Sequence, residues 1–464
     1  MLRNTALRSA FLTRVPCVHL LSKMLARLVL LASCFVFAKR RIYFAFLRWC
    51  SVTYYRYAPS HRLELLASTP FYSKKRNCNA KHCVIVLFHN ADKVGNSRKT
   101  SVFQFTREAQ FTTIVNSRRK PIIIMKTEIK AITPDSIREA KNIIEKGGVV
   151  AIPTETVYGL GGNAFDDTAV AKIFEVKGRP SDNPLIAHVH KDYDLSQIVD
   201  YEPDYAKKLR QAYPTGPLTL VYPSKNKVSQ RVSCGLDTLA VRVPSHDGAQ
   251  AFLRAVGIPI VAPSANISKH VSPTSAKHVL DDFDGKIPLI LDGGECVGGI
   301  ESTVCDCTGD VPVILRAGLI TREDIANIVG DCKVYEPTFA KGEKVKSPGL
   351  LYKHYSPRCQ TRLFTAEELE TAVLLYQSET KAGKKVAILC EDKWSSLFQA
   401  LGAPLFNLGK EQSEMAMKLY KLLREAEEKC ELLIAIEPTE KTGIMVGVLN
   451  RLQKACVSED ITRE

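Results

Sequence analysis

Residues 149–160, VVAIPTETVYGL, decide how the chain folds. The first four form an apolar, largely β-branched run of the kind expected of a buried strand, and Pro153 breaks it into the polar triplet Thr154-Glu155-Thr156. Just upstream, Thr133 is placed to cap a helix with Pro134 at its first position. Ile137, Ala140, Ile143 and Ile144 then fall on one face before Gly147-Gly148 ends the helix. The pattern recurs: 239–243 is a strand bounded by Thr238 and Pro244, 258–262 runs into Pro263-Ser264-Ala265-Asn266, and 289–291 runs into a glycine-rich turn and Glu301-Ser302-Thr303. In open α/β sheets ligands sit beyond strand ends, so several polar loops following apolar runs imply one converging site.

Beyond this segment, residues 331–360 change character. Pro337, Gly342, Pro348, Gly349 and Pro357 interrupt any regular element, as in a linker. Residues 386–389 and 432–436 then have the composition of strands, and 413–430 and 443–456 that of helices, giving a smaller α/β domain over 361–464. A chain of 464 residues is long enough for at least two cores.

The net charge of +15 hints at an anionic partner, but it is unevenly spread. Residues 1–124 hold 22 Lys+Arg against three acids (Glu64, Asp92, Glu108), a surplus of +19, so the remainder carries −4. A body-wide basic face for nucleic acid is therefore not expected. The longest apolar stretch of this extension, 28–38, is short of the roughly 20 residues that span a bilayer. Its Arg-rich, acid-poor composition fits non-coding sequence translated ahead of a start at Met125, an organellar targeting segment, or an appendage; disordered or spurious sequence is the expectation for 1–124. Fourteen Cys, five of them in the extension, lack paired C-x2-C spacing, which fits reduced thiols in a cytoplasmic protein and no zinc site.

Two stretches carry chemistry. In Lys177-Gly178-Arg179-Pro180-Ser181-Asp182-Asn183-Pro184 each proline pushes its predecessor out of the helical region. If the loop is extended, Lys177 and Arg179 face one ligand together, an ammonium beside a forked guanidinium that suits a polyphosphate. A solvated loop with incidental charges is the other possibility. Ser264 and Asn266 repeat the spacing with neutral groups that can bond phosphate or ribose, or simply satisfy their own turn.

Together the ordered motifs I-P-T-E-T-V-Y-G-L, K-G-R-P-S-D-N-P-L, T-L-A-V-R-V-P, A-P-S-A-N-I-S and E-S-T-V resemble the YrdC-like threonylcarbamoyl-AMP synthases over about residues 130–320. S-P-G-L-L-Y-K-H-Y-S-P (347–357) and N-R-L-Q-K-A (450–455) resemble the longer, two-domain form. The resemblance implies a YrdC-like twisted open mixed sheet with helices over 125–330, a linker or lid over 331–360, and a Rossmann-like α/β domain over 361–464. It implies that Lys177, Arg179, Ser264 and Asn266 surround the ATP phosphates. It assigns L-threonine to Thr156, His188, Arg242 and Ser302, and further nucleotide contacts to Asn183, Thr238, Ser272, Arg316 and Tyr352.

These assignments are chemically coherent. Arg242 can take a carboxylate as a bidentate partner, and Thr156 and Ser302 can select a hydroxyl-bearing side chain. Read singly, each has a structural alternative: a strand Arg paired with a neighbouring acid, a satisfied His188, a solvent-facing Arg316. Glu155 is left open between orienting the substrate amine, orienting a metal-bound water and a structural role. The implied reaction joins threonine to bicarbonate carbon, and the carbamate oxygen then attacks the α-phosphate of ATP, expelling pyrophosphate. It needs positioning and charge neutralisation, with Mg²⁺ arriving on the nucleotide. The product would feed a separate transferase that modifies the adenosine beside a tRNA anticodon, with no stable membrane or nucleic-acid binding by this chain. Two rivals fit less well. A hydrogenase-maturation carbamoyl-adenylate former needs zinc fingers that are missing here, and an RNA-binding module needs a basic body.

Overall fold

The computed structural model describes residues 126–181, 183–335 and 355–456, with four strands nearer the amino terminus. Those strands, β1 (Leu63–Leu66), β2 (His82–His89), β3 (Lys99–Thr106) and β4 (Phe111–Asn116), pair antiparallel in chain order. Regular structure was not expected there. Strands β2, β3 and β4 are rich in Val, Ile, Phe and Thr, residues of high strand propensity.

Met125–Glu464 is a separate compact unit built on two sheets. The first begins with β5 (Glu128–Ala131) and the expected helix α1 (Pro134–Glu145), where the Thr133 side chain accepts from Ser136 N (3.2 Å) and Ala140 and Ile144 are buried. It continues through β6 (Val150–Ile152), β7 (Gly159–Asn163), α2 (Asp167–Lys177), β8 (Ile186–His188), β9 (Leu218–Pro223) and β10 (Thr238–Arg242). Then follow α3 (Asp247–Val256), β11 (Ile260–Val261), α4 (Ala276–Phe283), β12 (Leu289–Asp292), β13 (Thr303–Asp306), β14 (Val313–Arg316) and β15 (Lys333–Val334). The spatial order is β15-β14-β13-β9-β10-β8-β11-β7-β6-β12-β5. The sheet is mixed: β8 and β10 run parallel, whereas β11 runs antiparallel to β8.

The second sheet is all parallel, in the order β16 (Gln360–Phe364), β19 (Leu432–Ile436), β17 (Val386–Cys390), β18 (Leu405–Asn407). Buried on both faces, β17 and β19 are the continuous apolar runs that parallel strands require. Helices α5 (Leu369–Lys381), α6 (Gln412–Lys429) and α7 (Met445–Cys456) flank it as in a Rossmann-like domain.

The sheets are separate but a core is shared. Val157, Val271 and Ile300 from the first part pack in one cluster with Leu419, Tyr420 and Leu452 of α6 and α7. The approach is close at Gly299, whose φ is +73° and where a Cβ would lie 2.2 Å from the carbonyl oxygen of Ala416.

Candidate active site

The loops after β6, α2, β11 and β12 and the last residues of β8, β10 and β14 converge on one open-mouthed cavity of about 660 Å³, counting its solvent-filled mouth. Its polar wall includes Arg179, His188, Arg242, Ser264, Asn266, Ser272, Ser302 and Arg316, eight of the thirteen residues expected from sequence.

His188 and Arg242 end two parallel strands and are register partners, so the sheet sets them side by side. Arg242 is buried; its Nη2 donates to Glu155 Oε1 (2.7 Å) and its Nε to the Gly216 carbonyl (3.3 Å), while Glu155 Oε2 accepts from Ser245 N (3.1 Å). Glu155, left open in the sequence, is thus the carboxylate that anchors Arg242. His188 is neutral: burial, aided by the Arg242 charge, lowers its pKa to about 3. Its Nδ1 donates to the Ile186 carbonyl (3.1 Å), which leaves Nε2 as an acceptor. Across the cavity, Ser302 Oγ pairs with Thr219 Oγ1 (2.8 Å) and accepts from Arg316 Nη2 (3.2 Å), and Arg316 Nε donates to the Ser302 carbonyl (3.1 Å).

The Lys177-Gly178-Arg179 segment is not extended, and that expectation is corrected. Lys177 is the last residue of α2, and Gly178 caps the helix at φ 59°, so a helix end and a left-handed turn separate the two cations. Lys177 is buried and donates to the carbonyls of Ser264 and Asn266 (2.7 Å for the latter), tying α2 to the 264–266 loop. Burial, then the neighbouring Arg179, holds its pKa well below the ordinary lysine value. Arg179 lines the cavity, with Nη2 donating to the Asn183 carbonyl (3.2 Å).

The Asn266 amide is fixed by its donors, since Nδ2 reaches the carbonyls of Ile267 and His270 (2.8 Å each). Its buried Oδ1 has no partner among the described residues, nor has that of Asn183. Such orphaned acceptors call for a donor, so Asn266 fits a ribose hydroxyl or a hydrated cation better than a phosphate oxygen.

Other expected residues lie elsewhere. Thr156 is buried with its hydroxyl against Thr154 Oγ1 (2.9 Å) and does not line the cavity, because Thr154 organises that turn. Thr238 opens β10, about 13 Å of strand away from Arg242, and is not on the wall. Tyr352 lies outside the described residues; Tyr355, three positions on, is buried and lines the cavity.

Two ionisable wall residues, Glu301 and His270, lie outside the set of site residues expected from sequence. His270 Nδ1 meets Asp282 (3.0 Å) and Nε2 meets Glu427 (2.7 Å). Burial opposes its charge, but the two carboxylates outweigh it and raise the His270 pKa. Arg424 Nη2 completes the cluster on Asp282 Oδ2 (2.8 Å). Glu427 and Arg424 come from α6, some 150 residues further along the chain, and nothing local in the sequence announces them.

A family profile described as "Telomere recombination", for the Sua5, YciO and YrdC proteins, matches residues 142–318. A second, for the threonylcarbamoyl-AMP synthase C-terminal domain, matches 320–457. Among curated proteins, threonylcarbamoyl-AMP synthase of Pyrococcus abyssi is 40% identical over 326 residues, which is 69% of this chain and 93% of that protein. The Bacillus subtilis protein of the same name is 40% identical over 322 residues, 69% of this chain and 92% of its own. A crystal structure of P. abyssi Sua5 complexed with L-threonine superposes with a TM-score of 0.64 at 38% identity, covering 72% of this chain and 97% of that one.

Proposed function

The chain belongs to the threonylcarbamoyl-AMP synthase family in its two-domain form, and from that premise we infer the reaction at its cavity. L-Threonine, bicarbonate and ATP are converted to L-threonylcarbamoyladenylate, pyrophosphate and water. The observation that carries this reading is the pair formed by neutral His188 and cationic Arg242.

Arg242, oriented by Glu155, takes the threonine carboxylate. Nε2 of His188 accepts a hydrogen bond from the amine or the hydroxyl. With its pKa lowered to about 3, the imidazole carries no proton on Nε2 near neutrality, so it orients the substrate and does not store its proton. Ser302, backed by Thr219 and Arg316, is positioned to discriminate the threonine hydroxyl. Arg179 faces the triphosphate, and Lys177 rigidifies the Ser264–Asn266 loop from behind. The nucleotide brings Mg²⁺ as part of the substrate, and the free acceptor of Asn266 suits a water of that ion or the ribose.

Incubating the protein with threonine, bicarbonate and ATP should release pyrophosphate only when all three are present; pyrophosphate independent of threonine would refute the reading. Arg179→Ala is expected to lower kcat/KM for ATP about 10- to 100-fold, the worth of a charged hydrogen bond of about 1.5–3 kcal/mol. Arg179→Lys should restore little of it, because a point charge does not reproduce the planar fork. The same pyrophosphate assay checks both.

The product, a mixed anhydride, would pass to the transferase that modifies tRNA. Among the described residues no helix is long and apolar enough to cross a membrane; cytoplasmic action is part of the proposal.

A further inference from the structure

Glu301 stands in the cavity wall next to Ser302 and in contact with Ser272. Its Oε1 accepts from Ser272 Oγ (2.7 Å), its Oε2 from Arg451 Nε (3.1 Å), and Tyr420 Oη donates to it at 2.9 Å. It is ionised: burial raises its pKa, but Arg451, Arg316 and the Ser272 hydroxyl together outweigh burial and hold it below the usual range. Tyr420 and Arg451 belong to α6 and α7 of the second domain and do not line the cavity. Both are fully buried and held. The Tyr420 ring stacks on Tyr355 with centroids 5.3 Å apart, and Arg451 Nη1 also donates to the carbonyls of Ala317 (2.5 Å) and Gly447 (3.3 Å).

A serine hydroxyl has one proton and two lone pairs. With the proton committed to Glu301, Ser272 can offer a ligand only an acceptor. A ribose hydroxyl or an adenine amino group satisfies that, and a phosphate oxygen does not.

Resting on the ATP reading above, we propose that Glu301 is a positioning residue. It fixes the direction of the Ser272 hydroxyl, is itself fixed by Tyr420 and Arg451, and so makes the second domain a determinant of nucleotide affinity without contact to nucleotide. The same linkage predicts what an amide does at this position. In Glu301→Gln, Arg451 retains the amide oxygen and the NH₂ group turns to Ser272, so the serine proton is released toward the ligand and the polarity of the subsite inverts.

Equilibrium binding of Mg²⁺·α,β-methylene-ATP and of L-threonine to the full chain tests this. Glu301→Gln should weaken the analogue about tenfold and Tyr420→Phe about threefold, about 1.4 and 0.65 kcal/mol, with threonine affinity within about twofold of the parent. In a Ser272→Ala background both effects should shrink below about twofold, since the group they act through is gone. Full effects persisting in that background, no effect of either variant on the analogue, or equal weakening of both ligands with a lowered melting temperature would overturn the proposal. Tyr420→Phe removes a single oxygen and keeps the test open if Glu301→Gln does not fold. The binding readout also stands apart from the reaction: a parent that binds the analogue but releases no pyrophosphate would refute the activity and leave this inference to be judged on affinity.

Discussion

Arg242→Met is expected to lower threonine-dependent kcat/KM by about 10³-fold, roughly 4 kcal/mol of transition-state binding. Two losses combine. Under the proposed binding mode the substrate carboxylate loses its guanidinium partner, and Glu155, buried with Arg242 at 2.7 Å, is left as an uncompensated charge. Removing one partner of a buried pair costs about 3–5 kcal/mol of stability, whereas replacing both with neutral groups of similar volume is often close to neutral. Arg242→Met alone should therefore unfold at lower denaturant, and Arg242→Met/Glu155→Gln should recover most of that stability while remaining inactive. Chemical denaturation beside the pyrophosphate assay separates the two effects. A double variant that regained activity would show that Arg242 serves only to neutralise Glu155.

The second large effect belongs to the cluster at His270. Asp282 is buried and accepts from His270, from Arg424 and, at 3.5 Å, from Arg358; its carboxyl is held below the usual range because the His270 and Arg424 bonds outweigh burial. Asp282→Asn leaves buried Arg424 and His270 with only Glu427 as counter-charge and should cost about 3–5 kcal/mol. The pH dependence follows from the direction of each shift. The folded-state pKa of His270 is raised, so its contribution is complete below about pH 6.5 and is lost as pH climbs through the elevated value. Those of Asp282 and Glu427 are lowered, so their contributions are present above about pH 4 and vanish as pH falls through the folded values. Thermal melts of the parent should decline as pH rises above about 6.5. His270→Gln should start lower and stay flat across that window; an identical slope in both would place the titrating group elsewhere.

What could be read in advance follows the range of the interactions. The Thr133 cap, the buried strands 432–436 and 386–389, and the polar loops beyond strand ends are local patterns, and the structure has them within a residue or two. The side-by-side placement of His188 and Arg242 needs β8 and β10 to pair in parallel, which no spacing within either strand reveals. The backbone at Lys177 departs from the extended path expected of it because prolines at 180 and 184 constrain only their predecessors; the helix of α2 runs up to Lys177 and Gly178 supplies the turn. Thr238 and Arg242 share the T-L-A-V-R-V-P motif, yet a strand carries them to opposite ends. Glu301 was visible in E-S-T-V, but its meaning rests on Tyr420 and Arg451, 119 and 150 residues later.

The shared cluster of Val157, Val271 and Ile300 with α6 and α7 bears on how the body melts. The join between the two profile matches, at residues 318 and 320, is not a line of mechanical weakness, because this cluster draws on both sides of it. Stripping away everything after residue 335 would expose those three side chains, at about 1.5–3 kcal/mol each, and would also take Arg451 from Glu301 and Arg424 from Asp282. Calorimetry of residues 125–464 should accordingly record one endotherm whose van't Hoff and calorimetric enthalpies agree, the signature of a single cooperative unit built on two sheets.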